Sequence, residues 1–300
     1  MSMNKIFTKK MIKPLLIFTF VMILLLLPLF LWALQENKAI GVTNYHITDE
    51  KIPAEFASFR IAQVSDLHNT EFGDENQELL ELLRQNVPDI IVITGDLIDA
   101  RRTNVDVALS FVEKAMEIAP CYYVSGNHEG SLSIRLDFQE SLMQRGVVVL
   151  DNERVEIERN GQSIHLMGVY DFSLQYRYKL DPDESVMMRP LRKVAPPAGE
   201  FSILLSHRPE LFDTYAKSGV DLVLTGHAHG GQARLPGIGG LIAPDQGLLP
   251  EYDMGVYKQD QTEMVVSRGL GNSLFPLRFN NPPELVMVEL HTTQLKGVTQ

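Results

Sequence analysis

The chain of 300 residues carries 38 acidic and 27 basic side chains, giving a formal net charge of −11 at neutral pH. This acidic balance disfavours a nucleic-acid groove, including that of a nuclease, because such grooves need clustered basic side chains, and we expect no nucleic-acid partner. The single cysteine, Cys121, excludes an internal disulfide, and its apolar strand-like surroundings predict a buried, unreactive thiol.

The most apolar stretch of the chain lies near its N-terminus. Pro14–Leu34 contains 21 residues without a charge, and as a helix it would extend roughly 30 Å, the thickness of a bilayer's hydrocarbon core. Lysines at positions 5, 9, 10 and 13 precede it. The positive-inside rule then predicts a single-pass signal anchor in the cell membrane, with residues 1–13 cytoplasmic and the rest of the chain extracytoplasmic. A cleaved signal peptide is the alternative, although its apolar core is usually shorter.

Residues 35–55 are predicted to be a polar tether with an edge strand over 44–48, and residues 56–300 to form one domain. The first half of this domain alternates between strand and helix patterns. Asp74 and Gln77 have the spacing of a capping box, which predicts a helix start at Asp74. The predicted strands of this half cover 60–64, 90–93 and 122–124, and the predicted helices after the first cover 105–116 and 131–145.

The second half of the domain is richer in strand patterns. They cover 147–150, 154–158, 163–169, 203–205, 222–224, 264–267 and 285–290, with one helix over 209–217. Tyr170–Gly199 is the longest stretch without a clear pattern and is expected to be a loop. Strands in both halves with helices around them predict an α/β fold, a four-layer α/β/β/α sandwich with two mixed sheets, preceded by the transmembrane helix.

Five of the apolar strands run directly into clusters of polar residues. The clusters are Ser65-Asp66-Leu67-His68, Gly95-Asp96-Leu97-Ile98-Asp99, Gly126-Asn127-His128-Glu129, His207 and Gly226-His227-Ala228-His229. Each cluster alone is compatible with an ordinary turn, a helix cap or a surface histidine. Together they predict one location, because side chains at the ends of neighbouring strands converge. Asp, Asn and His are ligands for first-row divalent metals, so we expect a dinuclear metal site.

These motifs resemble the signature of the calcineurin-like metallophosphoesterase superfamily. That signature consists of Asp-x-His, Gly-Asp-x-x-Asp, Gly-Asn-His-Asp/Glu, a separate His and Gly-His-x-His, and all five blocks occur in this order. The resemblance covers nearly all of residues 56–290. The sequences of the membrane-attached bacterial branch are similar to this chain over Ser206–Glu210, Thr225–Gln232, Ser267–Gly271 and Arg278-Phe279.

The resemblance implies a role for each motif residue. Two divalent metal ions, Mn, Fe or Zn, would be bound, with a hydroxide bridging them as the nucleophile. The first metal's ligands would be Asp66, His68, Asp96 and His229, and the second metal's would be Asp96, Asn127, His207 and His227. Asp96 would bridge the two. His128 would stabilise the transition state or protonate the leaving group, and Asp99 would orient His128.

One position departs from the superfamily's protein phosphatases. These enzymes carry an arginine directly after the second Asp of Gly-Asp-x-x-Asp, where this chain has Ala100 followed by Arg101. A protein serine/threonine phosphatase is therefore disfavoured. Arg101 and Arg278 are the candidates for a phosphate contact, and residues 176–179 and 275–279 are candidates for the substrate mouth, with an ordinary exposed surface as the alternative.

The expected function is that of a membrane-anchored phosphatase or phosphodiesterase. Its substrate would be a phosphomonoester or phosphodiester of the cell envelope or a lipid-linked one, because the anchor holds the site close to the bilayer. The alternative is a catalytically inactive, metal-bound binding or scaffolding module at the membrane.

Overall fold

The protein's computed structural model describes residues 3–171, 184–273 and 275–293. It contains seven α-helices within these ranges: α1 (Met3–Glu36), α2 (Gln77–Asn86), α3 (Val105–Met116), α4 (Asn127–Gly130), α5 (Arg135–Gln144), α6 (Glu184–Val194) and α7 (Phe212–Ser218).

The strands fall into two large sheets and two small hairpins. The strands of the first sheet are β1 (Gly41–Asp49), β2 (Arg60–Val64), β3 (Ile90–Ile93), β4 (Cys121–Tyr123), β5 (Val148–Val149) and β16 (Glu284–Thr292). Those of the second are β6 (Glu153–Arg159), β7 (Gln162–Gly168), β8 (Ser202–Leu205), β9 (Leu222–Thr225), β14 (Gly255–Gln259) and β15 (Thr262–Val266). The hairpins are formed by β10 (Arg234–Leu235) with β11 (Gly239–Gly240), and by β12 (Ile242–Ala243) with β13 (Gly247–Leu248).

Both large sheets have six strands and mixed direction. The first has the order β1-β16-β2-β3-β4-β5, in which only the β16–β2 pair is antiparallel. The second has the order β14-β15-β9-β8-β7-β6, in which the two outer pairs are antiparallel. The parallel strands β2, β3 and β4 of one sheet and β8 and β9 of the other therefore present their carboxyl ends to loops that lie close together.

The two sheets pack face to face and helices cover their outer faces. Central strands are buried on both faces, so their residues alternate between two apolar layers. On β8, Ile203 and Leu205 face the layer between the sheets, while Leu204 faces the layer under α6 and α7. A third layer lies between the first sheet and helices α2, α3 and α5. The fold is thus the predicted α/β/β/α sandwich with two mixed sheets.

Several predicted elements differ from those in the structure. The helix expected to start at Asp74 starts at Gln77, because Asp74–Asn76 forms a separate 3-10 turn and no side-chain cap is made. The helix expected over 131–145 covers only Arg135–Gln144. The expected loop Tyr170–Gly199 contains α6, although residues 172–183 lie outside the described part. The short strands β10–β13 and the strand β14 were not predicted.

Helix α1 is connected directly to the first sheet. Its segment Pro14–Glu36 is long and apolar enough to cross a membrane, and the most apolar 18 residues within it have a mean hydropathy of 2.8. Residues 37–40 follow, and β1 then pairs with β16 in parallel, from Gly41 beside Glu284 to Asp49 beside Thr292. β1 is an edge strand, and it is longer than the predicted 44–48.

Candidate metal centre

All five polar clusters lie at carboxyl ends of parallel strands. β2 leads to Asp66, β3 to Asp96 and β4 to Asn127, while β8 leads to His207 and β9 to His227. Behind the clusters, the buried Gln63 amide donates to Thr94 Oγ1 and the Thr225 carbonyl, joining the two sheets. The site is therefore built across both sheets.

Asp66, His68 and His229 form a first group of candidate ligands. One ligand atom from each lies within 4.8 Å of the others, and all three side chains are buried. The Nε2 atoms of His68 and His229 are 3.2 Å apart, and Asp66 Oδ1 lies 3.5 Å from His229 Nε2. Two imidazole nitrogens at this distance require a proton or a cation between or beside them.

A second buried group consists of Asp96, His207 and His227. One ligand atom from each of these residues lies within 4.8 Å of the others. His207 Nε2 lies 3.1 Å from His227 Nδ1 and 3.0 Å from Asn127 Oδ1. The half-buried amide of Asn127 thus supplies a fourth donor atom, a neutral oxygen, to this group.

Asp96 connects the two groups. Its Oδ2 lies 3.6 Å from His68 Nε2 in the first group and 3.3 Å from His207 Nε2 in the second. Its Oδ1 accepts a hydrogen bond of 2.9 Å from the His128 amide. A carboxylate held between two sets of donors is the arrangement that a shared ligand of two cations requires.

Hydrogen bonds orient the imidazoles of the second group. His207 Nδ1 lies 2.7 Å from the Thr94 carbonyl and donates to it, which leaves Nε2 facing Asp96 Oδ2 at 3.3 Å. His227 Nε2 lies 2.9 Å from Asp245 Oδ2 and donates to it, which leaves Nδ1 facing His207 Nε2 at 3.1 Å. Such outer partners are typical of metal-binding histidines.

The protonation behaviour of the first group also fits metal binding. Burial lowers the pKa of His68 to about 4 and that of His229 to about 3, so both rings are neutral near pH 7 and can act as ligands. Burial alone would raise the pKa of the Asp96 carboxyl, but His207 and other histidines hold it well below its usual value. Burial would also lower the pKa of His207, but Asp96 raises it to about 10, so a metal at the second group would have to displace a proton from His207. The ionised Asp96 and the neutral rings of His68 and His229 are donors that first-row divalent metals accept.

Backbone conformation at the candidate ligands is unusual. Five of them have positive φ angles of 47° to 66°: Asp66, His68, Asp96, His227 and His229. For residues with a β-carbon this region costs about 1–2 kcal/mol each. Strained conformations of this kind are retained mainly at functional sites, where the surrounding structure imposes them.

Two glycines make the close approach of the loops possible. A β-carbon on Gly126 would lie 2.1 Å from Asp96 Oδ1, and one on Gly226 would lie 1.9 Å from Ser65 Oγ and 2.3 Å from Asp66 Oδ2. Neither glycine has a positive φ, so their role is to leave space for the carboxylates rather than to permit a turn.

His128 lies beside the two groups of candidate ligands but belongs to neither. Its Nε2 is 4.0 Å from Asp96 Oδ2, and its Nδ1 accepts a hydrogen bond of 2.9 Å from the Ala100 amide. That acceptor role fixes the proton on Nε2, the atom directed at the site. Asp99 Oδ1 is 3.8 Å from His128 Nδ1, too far for a hydrogen bond, and accepts instead from the Arg101 amide at 2.7 Å. Asp99 thereby shapes the turn whose Ala100 amide contacts His128.

The two arginines considered for a phosphate contact differ in position. Arg101 is exposed, and its Nη1 donates at 3.0 Å to Ser273 Oγ, which lies 3.3 Å from His128 Nε2. Arg278 is fully buried and donates to the carbonyls of Arg268 and Gly271. Arg101 therefore reaches the mouth of the site, whereas Arg278 supports the loops beneath it. Residues 176–179, the other mouth candidates, lie outside the described part of the chain.

Sequence reasoning assigned no role to Glu129 or Asp245. The buried Glu129 carboxylate accepts from the amides of Asp96, Ile98 and Gly126 at 2.9–3.0 Å, so it joins the loops after β3 and β4. Its place inside the Gly-Asn-His-Glu block was a usable signal. Asp245, in the β12–β13 turn, contacts His227 and also accepts from Arg208 Nη1 at 2.6 Å. It lies in no motif, so no local signal identified it.

Comparisons with known sequences agree with this site. The calcineurin-like phosphoesterase family matches residues 59–231, a range that includes every candidate ligand. The uncharacterized metallophosphoesterase YkuE of Bacillus subtilis is 29% identical over 264 residues, covering 86% of this chain and 88% of that protein. The phosphodiesterase YaeI of Escherichia coli is 28% identical over 247 residues, covering 78% of this chain and 83% of that protein.

A solved structure shares the fold. The protein TT1561 of Thermus thermophilus superposes with a TM-score of 0.50 at 12% identity, covering 71% of this chain and 91% of that one. Because the family match extends over more than half of the chain and includes all five motifs, the protein belongs to the calcineurin-like phosphoesterase family.

Proposed function

We propose that the protein is a membrane-anchored, dinuclear-metal phosphoric ester hydrolase that acts on a phosphomonoester or phosphodiester of the cell envelope. The main support for the proposal is the position of Asp96, because one of its carboxylate oxygens faces His68 of one donor group and His207 of the other. The Escherichia coli relative named as a phosphodiesterase supports this reaction class.

The two metal ions would be bound by different sets of ligands that share Asp96. The proposed ligands of one ion are Asp66, His68, Asp96 and His229, and those of the other are Asp96, Asn127, His207 and His227. Two divalent cations, Mn, Fe or Zn, would lower the pKa of a bound water, which makes it a nucleophile, and would neutralise the charge that develops on the phosphoryl oxygens. The backbone constraints and the Asp245, Thr94 and Glu129 hydrogen bonds hold the donor atoms in place before the substrate arrives.

His128 is proposed to stabilise the transition state by donating a hydrogen bond to the leaving oxygen. Its Nε2–H faces the site, and its Nδ1 is held by the Ala100 amide. Because Nδ1 accepts a hydrogen bond, Nε2 carries the ring's proton and can donate to the negative charge that develops on the leaving oxygen. Asp99 has a positioning role, acting through the turn that presents the Ala100 amide.

Arg101 is proposed to bind a phosphoryl oxygen. Its guanidinium is at the mouth of the site, linked through Ser273 to His128, and it has donors free of any buried ion pair. A guanidinium presents several N–H groups in a fork that matches phosphate geometry. Arg101 would thus replace the arginine that protein phosphatases carry one position earlier.

Helix α1 supports the proposal that the protein is anchored. The segment Pro14–Glu36 has the length and hydropathy of a membrane span, and its described side chains before Trp32 are exposed. With four lysines before it, the proposed orientation places the N-terminus in the cytoplasm and the catalytic domain on the outer face.

Hydrolysis of chromogenic substrates tests the enzymatic proposal. The full chain, reconstituted with Mn²⁺, Fe²⁺ or Zn²⁺, is assayed with bis-p-nitrophenyl phosphate and p-nitrophenyl phosphate. We expect turnover that depends on metal, is lost in Asp96→Asn, and is unaffected by Asp137→Asn, the same change at an exposed position of α5. If the wild-type protein binds metal but is as inactive as Asp96→Asn on both substrates, the inactive binding module is the correct interpretation.

A further inference from the structure

An apolar groove lies between α1 and the catalytic domain. Its volume is about 470 Å³. One wall is the outer part of α1, with Leu26, Phe30 and Ala33, and the other includes Ile242 and Phe275 of the domain. The groove is separate from the two donor groups, whose residues do not line it.

The groove offers hydrocarbon on all sides. Gln232 is the one polar side chain among its lining residues, and its amide is engaged, donating to the Phe275 carbonyl at 3.1 Å and the Leu277 carbonyl at 2.9 Å. A peptide in this groove would leave backbone N–H and C=O groups without partners. An alkyl chain has no such groups, and its burial is favourable in proportion to the apolar area removed from water.

Contacts hold the end of α1 against the domain. The Trp32 ring packs edge-on against Phe279, another lining residue, with centroids 4.9 Å apart. Asn37 Oδ1 accepts from the Arg278 amide at 3.0 Å, and Glu36 Oε2 accepts from the Asn280 amide at 2.7 Å. The groove is therefore a fixed feature of the structure rather than a gap beside a free helix.

The position of the groove along α1 matches a membrane leaflet. Leu26 precedes Leu34, the end of the apolar stretch, by eight residues, which corresponds to about 12 Å of helix. In the proposed anchored state the groove therefore lies at the depth of the outer leaflet's acyl chains, where lipid can enter from the side.

The domain wall of the groove adjoins residues of the candidate metal centre. Arg278, between the lining residues Leu277 and Phe279, has its Nη2 3.3 Å from Nδ1 of the candidate ligand His229. Phe275 follows Ser273 by two residues, and Ser273 Oγ lies 3.3 Å from His128 Nε2. An occupant of the groove would therefore contact segments that also contact residues of the site.

We propose that this groove binds the hydrocarbon chain of an amphiphilic phosphoester and thereby places its phosphate group at the metal centre. The inference rests on the proposed function, because it names the substrate class of that site. According to this proposal, the protein prefers lipid-linked substrates because their hydrocarbon chains bind between α1 and the groove-lining residues within 232–279.

Binding of n-alkyl phosphates with two to eight carbons tests the groove without requiring turnover. The metal-loaded full chain in lipid nanodiscs is titrated by equilibrium binding, with empty nanodiscs subtracted. Burying one methylene contributes up to about fourfold in affinity, so we expect the wild-type dissociation constant to fall at least about twofold per added carbon. A dissociation constant that does not change with chain length would overturn the inference.

Two substitutions and a control locate the effect. Ile242→Gln and Phe275→Gln change groove side chains that are 52% and 66% exposed, so folding should survive. We expect both to flatten the chain-length dependence. Leu136→Gln changes a residue that is 65% exposed on α5, which packs beside β5 at the far edge of the first sheet, and should keep the wild-type dependence. Equal dependence in all four proteins would contradict the groove assignment.

Hydrolysis of the chainless substrate bis-p-nitrophenyl phosphate separates this inference from the proposed function. An Ile242→Gln protein that keeps this activity but loses the chain-length dependence supports both. If the wild-type protein hydrolyses the soluble diester but binds all alkyl phosphates equally, only the groove proposal is contradicted. If it binds longer chains more tightly but hydrolyses no ester, only the proposed enzymatic function is contradicted.

Discussion

At the scale of single residues, hydrogen-bond partners decide which atom of each histidine faces the site. His207 Nδ1 donates to the Thr94 carbonyl and His227 Nε2 donates to Asp245, so different nitrogens of the two rings face the site. In His128, by contrast, Nδ1 accepts from the Ala100 amide and Nε2–H faces the site. This difference separates two candidate ligands from a candidate hydrogen-bond donor within a site of chemically identical rings.

Replacing His128 by alanine tests its role as a hydrogen-bond donor to the leaving oxygen. We expect kcat to fall about 10²–10³-fold for a diester with an alkoxide leaving group, on which much negative charge develops, and much less for a p-nitrophenyl ester, whose leaving group is a stable anion. The comparison of kcat for the two esters in wild-type and His128→Ala proteins provides the measurement. Equal losses on both esters would show that His128 does not stabilise the leaving oxygen.

Arg101 provides a second test at this scale. Removing a charge-assisted hydrogen bond to phosphate costs about 1.5–3 kcal/mol, so Arg101→Ala should lower kcat/KM at least about tenfold. Arg102→Ala is the matched control, because the Arg102 side chain is exposed and its nearest carboxylate, that of Asp99, is 3.9 Å away. Steady-state kinetics of both variants are decisive, and similar effects of the two would assign no phosphate contact to Arg101.

At the scale of elements, the loops after the parallel strands depend on one another. Glu129 in α4 accepts from three amides, two of them in the loop after β3. Asp96 in that loop in turn accepts from the His128 amide in α4. The loops after β3 and β4 therefore form one hydrogen-bonded unit, which explains how the loop after β3 keeps the positive φ of Asp96.

Glu129→Gln should weaken this unit. Glutamine offers one oxygen and directs an NH₂ group at an amide donor, which leaves a buried N–H without a partner at a cost of about 1–3 kcal/mol. We expect the melting temperature to fall by several degrees, and Glu140→Gln on the exposed face of α5 to leave it unchanged. Thermal unfolding of both variants by calorimetry measures this, and an unchanged melting temperature in Glu129→Gln would contradict the proposed linkage.

The sequence predicted most elements because their signals are local. Fully apolar runs such as Ile90–Ile93 gave the buried strands, and Leu79, Leu80 and Leu83 gave the buried face of α2. The short strands β10–β13 have no periodicity to detect over two residues each. The start of α2 was misplaced because a 3-10 turn occupies the predicted capping box. Of the site, the motif residues were predictable, whereas Asp245 is brought to His227 only by the tertiary fold.

At the scale of the whole molecule, helix α1, the proposed membrane anchor, is structurally continuous with the two-sheet domain. Four residues separate α1 from β1, and β1 pairs along its full length with β16. In the proposed anchored state, this attachment would fix the height of the candidate metal centre above the bilayer. This connection could not be read from the sequence, in which residues 35–55 resemble a polar tether.

The single cysteine makes the proposed topology measurable. Cys121 is 1% exposed, and burial raises the pKa of its thiol to about 12, so it should not react in the folded protein. In intact cells we expect Glu153→Cys, exposed on β6, to react with a membrane-impermeant maleimide, and Ser2→Cys to react only after lysis. Labelling of the wild-type protein is the background control. The reverse labelling pattern would invert the proposed orientation, and a wild-type chain lacking residues 1–34 by mass spectrometry would favour cleavage.

The proposed mechanism of hydrolysis depends on two cations that share the Asp96 carboxylate. Anomalous diffraction from crystals grown with Mn²⁺ would show this most directly. We predict two peaks about 3.5–4 Å apart, one beside Asp66, His68 and His229 and the other beside Asn127, His207 and His227, with Asp96 in contact with both. A single peak, or two peaks without a common carboxylate, would contradict the dinuclear centre.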